Sequence, residues 1–437
     1  MISGNKGTER GRLRALLLGV AFVVVALSGA TAPVFAATPD EVVVSEVPAK
    51  KTPNVLDGSV KAIVQIGNTV VVGGTFTRVK QPGGATFDRS RIFAFNATTF
   101  AIDPNFKPVF DREVDALAAG SDGRSVYVGG RFNSISGYAR KGLIKLDLAT
   151  GQRITAFNAK PKGAVFDLAR SGGKLYVAGN FPTINGNAIA ALASVDETTG
   201  AVDATSFNLH YADPRSTSTT QGSLTVASLA LTPDGKRLVT AGNFQHVDGL
   251  DRNQLAVLDL STSPASAANW ETDGFKFQCP SLRKPAWTTD LAMSPDGKWF
   301  AVTSTGAYAH GQLCDTASRW EVDQTGSGLQ PTWVNWTGGD SLFSAAATKV
   351  AVYVGGHQRW MNNPDGNDSP GPGAVPRSGI AALDPANGLA LSWNPGRNPR
   401  GEGVFALVPT ATGLWVGSDT DYIAGQYRAK LAFMPSG

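Results

Sequence analysis

The densest collection of groups able to bind or transform a ligand lies near the C-terminal end of this 437-residue chain. His357, Arg359 and Trp360 fall within four positions, and Asp419, Asp421 and Tyr422 lie within another four. An arginine fork pairs with carboxylates, and flat Trp360 and Tyr422 rings beside polar groups suit a sugar. Two carboxylates such as Asp419 and Asp421 are what glycosidic-bond hydrolysis requires, at a separation that sequence does not give. Asp365, Asn367 and Asp368 stand in a Gly/Pro-rich loop and offer oxygens to a Ca²⁺ ion, although their spacing fits no EF-hand. The alternative is a solvated loop. The four histidines, His210, His246, His310 and His357, fall in different units, with neither a Ser-His-Asp order nor a converging tri-histidine spacing. No residue is assigned as catalytic, and no cofactor is expected beyond a possible structural Ca²⁺.

Two further sets carry chemistry. Arg91, Arg140, Arg252, Arg319, Arg377 and Arg428 recur once per unit in six of seven units, with Asn187-Ala188 in the remaining one. A ring of guanidinium groups would receive an anionic polymer or carboxylated sugar. The competing reading is that each arginine ties its own loop to a nearby acid. Cys279 and Cys314 are the only cysteines. In an exported chain such a pair is expected to bond, closing a loop of about 35 residues worth roughly 3–4 kcal/mol in the chain-entropy model.

The elements that must hold these residues follow from a repeat. Val72-Gly73-Gly74, Val128-Gly129-Gly130 and Val354-Gly355-Gly356 are strong copies. Val177-Ala178-Gly179, Thr240-Ala241-Gly242, Val302-Thr303-Ser304 and Val416-Gly417-Ser418 are softer ones. Their middle residues are 49 to 63 positions apart, the mark of a supersecondary unit that buries its apolar face by stacking. Within residues 113–159, apolar and β-branched runs separated by Gly/Asp turns predict a four-stranded antiparallel meander, strands A to D. Radial repetition of such units makes a β-propeller. The expectation is an all-β, seven-bladed propeller over residues 59–437, with A strands near Val60, Val114, Val165, Val226, Thr289, Leu342 and Val404. The last blade ends after its C strand, near Met434. A spare strand at Glu41–Val47, in the segment 37–58, is expected to complete that blade and cover its open edge. Long B–C and D–A loops share one face, where function is usually placed.

Phe132-Asn133-Ser134-Ile135-Ser136-Gly137, Phe181-Pro182-Thr183-Ile184-Asn185-Gly186 and Phe244-Gln245-His246-Val247-Asp248-Gly249 resemble the secreted bacterial propellers of the delta-60 repeat family. The likeness covers blades 1 to 4 well, blades 6 and 7 less fully, and departs at blade 5. That family is characterised by fold and export and brings no catalytic residues. Val-Tyr-Val-Gly-Gly also resembles kelch repeats, and Ala382-Leu383-Asp384 through Trp393 resembles a quinoprotein docking phrase, each as a more distant alternative.

Residues 1–36 read as a secretory signal peptide: basic Lys6, Arg10, Arg12 and Arg14, apolar Ala15–Leu27, then small residues up to Ala36. The rival is an uncleaved anchor. Four of the 39 basic and one of the 35 acidic residues lie in it, leaving 35 against 34. That near-neutral balance does not support nucleic-acid binding, and no membrane contact is expected once the signal is removed. The expectation is an exported, extracellular monomer that binds carbohydrate or another extracellular protein through its loop-bearing face. A polysaccharide lyase or glycosidase and a structural surface protein are the alternatives.

Overall fold

The computed structural model describes Met1 and residues 42–215, 222–280 and 288–436. The expected signal peptide beyond Met1, and Glu41 of the expected closing strand, lie outside the described residues. Runs such as Val70-Val71-Val72 and Val126-Tyr127-Val128 are wholly buried. β-branched and aromatic side chains fit a pleated surface covered on both faces, and these runs form the middle strands of antiparallel sheets.

Among the described residues there are seven such sheets, numbered 1 to 7 along the chain. Their first strands are Val60–Ile66, Val114–Ala119, Val165–Ser171, Val226–Leu231, Thr288–Met293, Leu342–Ala347 and Val404–Thr410. The second strands carry the Val-Gly-Gly phrases, from Thr69–Gly74 to Gly413–Ser418, and the third run from Ile92–Asn96 to Leu431–Pro435. First strands lie against one another in chain order, and the first strand of sheet 7 lies against that of sheet 1. Apolar clusters fill the spaces between consecutive sheets. One of them joins Ala406 and Trp415 of sheet 7 to Val60, Ile63 and Phe95 of sheet 1.

The glycines mark where the sheets crowd. Every first strand carries a bulge at its second residue, opposite the glycine phrase, as between Val114 and Ala116. A side chain on Gly129 would meet Val165 Cγ1 of the next sheet at 2.7 Å, and one on Gly417 would meet Val60 Cγ1 at 2.6 Å. A side chain on Gly130 would strike the Glu113 carbonyl oxygen. The phrase thus serves close approach of strands.

The fourth strand departs from expectation. Among the described residues only Ser266–Ala267 and Trp333–Trp336 form one. In sheets 1, 2, 3 and 6 it shrinks to single bridges, Phe95 to Ile102, Leu146 to Arg153, Val195 to Val202 and Leu383 to Ala390. Local side-chain bonds compete with the ladder: Asp103 Oδ1 accepts the Asn105 N–H at 2.8 Å, and Asp203 Oδ1 accepts that of Ser206 at 3.0 Å.

The N-terminal segment also differs from expectation, since residues 42–50 carry no regular strand. It nevertheless runs along the last third strand, with Ser45 N–H donating to the Pro435 carbonyl and Ala49 N–H to that of Phe433, each at 2.8 Å. The Ala49 bond repeats a bond of other sheets. The third residue of the third strand accepts Asp103 N–H in sheet 1, Ala268 N–H in sheet 4 and Leu391 N–H in sheet 6. Cys279 and Cys314 form the expected disulfide.

Candidate binding face

Between the second and third strands of most sheets the chain forms a small hairpin. Four of these turn through Ser136-Gly137, Asn185-Gly186, Asp248-Gly249 and Ala424-Gly425, with both residues at positive φ. That is the type I′ geometry that matches strand twist and favours Gly in second place. The buried Phe132 and Ile135 anchor one hairpin, and Phe244 and Val247 another. The chain then enters every third strand through a left-handed residue: Arg91, Gly142, Ala191, Gln254, Asp315, Gly379 and Lys430.

Two residues before that point, in five of the seven sheets, stands an arginine whose hydrogen bonds go mainly to main-chain carbonyls rather than to an acid. Arg140 donates to the carbonyls of Leu143 (2.7 Å) and Ala159 and to Asn158 Oδ1 (2.9 Å). Arg252 donates to the carbonyls of Asp251 (2.6 Å) and Ala268 (2.7 Å). Arg377 donates to those of Pro376 (2.7 Å) and Leu391. Arg428 reaches the carbonyls of Tyr427 (2.6 Å) and Ala49 (2.7 Å), and Gln426 Oε1 at 3.0 Å. In sheet 1 the equivalent residue is Arg89, bonded to the Asp88 and Asp103 carbonyls. Arg91 is the left-handed residue itself, with its guanidinium on the Thr75 and Phe76 carbonyls. Arg319 lies within its strand, paired with Glu321. In these five sheets the arginine is a staple that fastens the hairpin base to the segment beside the third strand, whereas sheet 3 has Ile189 there. Burial lowers the pKa of Arg89, Arg140, Arg252, Arg377 and Arg428. Sheet 5 has Leu313 at the staple position, next to Cys314, and the disulfide fastens that loop instead.

The sequence-predicted cluster is partly brought together, in a network joining sheets 6 and 7. Arg359 donates to Asp340 Oδ2 and Oδ1, at 2.8 and 3.1 Å, pairs with Asp368 and caps the Trp360 ring at 4.4 Å. Asp340 also lies 3.5 Å from Arg400, whose guanidinium bonds the His357 carbonyl. The His357 ring sits edge-on to Phe343, 5.3 Å between centroids. Asp419 accepts the Glu402 N–H at 2.6 Å and the Gly403 N–H at 3.2 Å and pairs with buried Arg397 at 3.5 Å. Arg397 also binds Thr420 Oγ1 and the Gly356 carbonyl. Burial depresses its pKa to about 10, against the opposing pull of Asp419. Asp421 pairs with Lys430 at 2.6 Å, and Tyr422 packs edge-on to Tyr427 at 5.5 Å. Arg377 and Arg428 belong to their own staples. The expected calcium ligands make contacts of their own. Asp365 lies 3.5 Å from His310 Nδ1, Asp368 is taken by Arg359, and Asn367 accepts Ser369 Oγ through its main-chain oxygen. Among the described residues no group of three His, Cys, Asp or Glu side chains is placed to hold a metal ion.

No family model matches this chain, and no curated protein matches it. Solved structures do. The crystal structure of the RRP9 WD40 repeats superposes with a TM-score of 0.52 at 13% identity, over 89% of this chain and 98% of that one. The structure of U3-55K gives 0.51 at 12% identity, over 89% and 100%. The fold is that of a β-propeller. At these identities the likeness carries the fold alone.

Sequence reading missed several residues of this propeller. Arg397 occupies a position held by Phe110, Pro161 and Tyr211 in other blades, so its residue type gives no repeat signal; Asp340 and Arg400 stand in connecting loops. Asp167 and Asp290 left a signal, an aspartate inside an apolar first strand. Asp167 Oδ2 accepts the Leu229 N–H of the next blade at 2.7 Å. Asp290 accepts Ser228 Oγ at 2.9 Å and the Ala345 N–H at 2.8 Å, joining the blades on either side. Burial raises Asp167 to about 7 and Asp290 to about 6.

Proposed function

We propose that this chain is an exported, non-catalytic interaction module, a seven-bladed propeller that binds carbohydrate or an extracytoplasmic protein through its loop-bearing face. The observation that carries this reading is a division of labour on that face. The charged candidates Arg359, Arg377, Arg428, Asp419 and Asp421 are spent on internal bonds. The hairpin tips meanwhile present large side chains to solvent: Tyr138, Leu250, Tyr422 and Tyr427. Rigid rings held on a stiff scaffold are good contact surfaces. The basic, apolar and small-residue order of residues 1–36, with the disulfide, supports export. The hairpin phrase, with its buried Phe and I′ turn, supports a place among the delta-60 repeat propellers. Closure by the N-terminal segment is supported by Ala49, whose N–H and carbonyl make the two bonds that Asp103, Ala268 and Leu391 make in other blades.

A glycan array and an extracytoplasmic protein panel probed with residues 37–437, with turnover of every bound glycan followed, tests the module. Binding without turnover is the expected result. Bond cleavage of a bound glycan would replace it with the enzyme reading.

A further inference from the structure

The clefts between neighbouring blades on the loop face share one construction and differ in charge. Between blades 2 and 3 lies a cleft of about 470 Å³ lined by Asn133, Tyr138, Arg140, Lys141, Lys160 and Pro161. Between blades 4 and 5 lies one of about 600 Å³ that includes Leu250, Asp251, Arg252, Glu271, Asp273 and Lys276. The two are in register. Arg140 N–H bonds the Asn133 carbonyl and Arg252 N–H the Gln245 carbonyl, each at 2.8 Å. Tyr138 therefore corresponds to Leu250 and Lys141 to Asn253.

No acid lines the first cleft. Its floor, Arg140, is buried and bonded only to neutral oxygens. Lys141 and Lys160 are exposed at its walls, and neither pairs with an acid among the described residues. The Arg153 guanidinium sits over the Tyr138 ring, 3.9 Å from its centroid, and Tyr138 remains 41% exposed. Burial lowers the pKa of Arg140, Tyr138 opposes this, and the Arg153 charge adds to it. In the acidic cleft the charges of Glu271 and Asp251 act on Arg252 in the opposite sense. Three cations, Arg140, Lys141 and Lys160, line a concave site without a carboxylate, and Arg153 stands beside it over Tyr138; such a site raises the local concentration of anions.

The backbone of the cleft has few donors to offer. Lys160 N–H is spent on Asn185 Oδ1 at 2.7 Å, Arg140 N–H on Asn133, and Pro161 has none. An extended peptide held through main-chain bonds is thus disfavoured, and recognition falls to an aromatic face and mobile ammonium groups. A pyranose ring carrying a carboxylate or sulfate meets both demands. We propose that the Tyr138–Lys141–Lys160 cleft is a binding site for acidic polysaccharide. This inference rests on the carbohydrate arm of the module reading and narrows it to anionic sugars at one inter-blade position.

The test is calorimetric titration of residues 37–437 with polygalacturonate, neutral dextran and poly-glutamate at low and moderate salt. Polygalacturonate is expected to bind and dextran not. Affinity should fall with salt and drop about tenfold or more in Lys141→Glu/Lys160→Glu. Tyr138→Ala should weaken it several-fold, and Lys276→Glu in the acidic cleft should leave it unchanged. These are surface positions, and an unaltered melting curve certifies the fold. Polygalacturonate binding that ignores the cleft variants overturns the assignment. So does poly-glutamate binding as tightly with Tyr138→Ala as with the parent, which would identify an acidic-peptide site. Capture of neutral glycans on the array with no polygalacturonate binding would overturn the cleft and leave the module standing.

Discussion

Arg397 is the side chain on which the join between blades 6 and 7 turns. Its side chain is 1% exposed, and it holds Asp419, Thr420 and the Gly356 carbonyl at once. Breaking a buried pair from one side leaves its partner charged and unsolvated. Arg397→Ala is expected to cost about 3–5 kcal/mol in urea unfolding, and Arg397→Lys a large part of that because one ammonium cannot replace the fork. The buried carboxylates set a pH dependence. Folded Asp167 and Asp290 titrate near 7 and 6, above the usual 3.8 of the unfolded chain. Between those values the folded state binds more protons, so their contribution is complete below about pH 4 and is lost as pH rises through 6 to 7. Melting temperature recorded from pH 5 to 8 should carry a falling component, and Asp167→Asn should flatten it. An unchanged slope in that variant would assign the proton elsewhere. None of these pairings was readable in advance. Asp340 and Arg400 lie 60 positions apart in loops whose lengths differ from blade to blade, so periodicity carries no information about them.

At the scale of strands and turns, much more was readable, because there each residue type answers one local demand. The Val-Gly-Gly phrase marked every second strand. Its two glycines do different work, and this is testable. A methyl on Gly129 meets a valine side chain able to shift, whereas one on Gly130 meets the Glu113 main-chain carbonyl. Gly129→Ala is expected to cost about 1–3 kcal/mol and Gly130→Ala clearly more, both read from thermal unfolding. The I′ turns invite the opposite change. Ala424 sits at φ 52 without a side chain that favours that conformation, and Ala424→Asn is expected to gain about 0.5–1 kcal/mol. The fourth strands were less readable. A phrase such as Ile102-Asp103-Pro104-Asn105-Phe106 looks strand-like in its apolar ends, but the aspartate between them captures the backbone N–H groups that a ladder would use. The arginine period was visible and its purpose was not. Sequence shows a charge, while the carbonyls that receive it belong to every residue type alike.

For the molecule as a whole, two fasteners sit outside the repeat. Removing residues 37–53 would expose the edge of Leu431–Pro435 and leave the Arg428 guanidinium without the Ala49 carbonyl. The truncated protein is expected to melt at lower temperature and to associate through that edge, as light scattering would reveal; a monomer of unchanged stability would refute closure. Reduction of Cys279–Cys314 is expected to cost about 3–4 kcal/mol of global stability by the loop-entropy argument, as denaturant unfolding with and without reductant would measure.

The arginine staple has one consequence for how such a chain can change over time. It grips main-chain carbonyls, which no mutation of the partner residue removes, and it does so at the hairpin root in five of the seven blades. The root is thus held independently of the side chains exposed at the hairpin tip. Blade 2 spans that position with a two-residue turn, and blade 6 carries the long stretch between Met361 and Val375 on the same kind of root. Tips can therefore differ in length and charge from blade to blade, as the two inter-blade clefts differ in charge, on one kind of root. The architecture separates a stapled frame from variable tips, and transplanting the blade 6 insertion onto the Arg140 root should yield a soluble protein with the parent's cooperative melt.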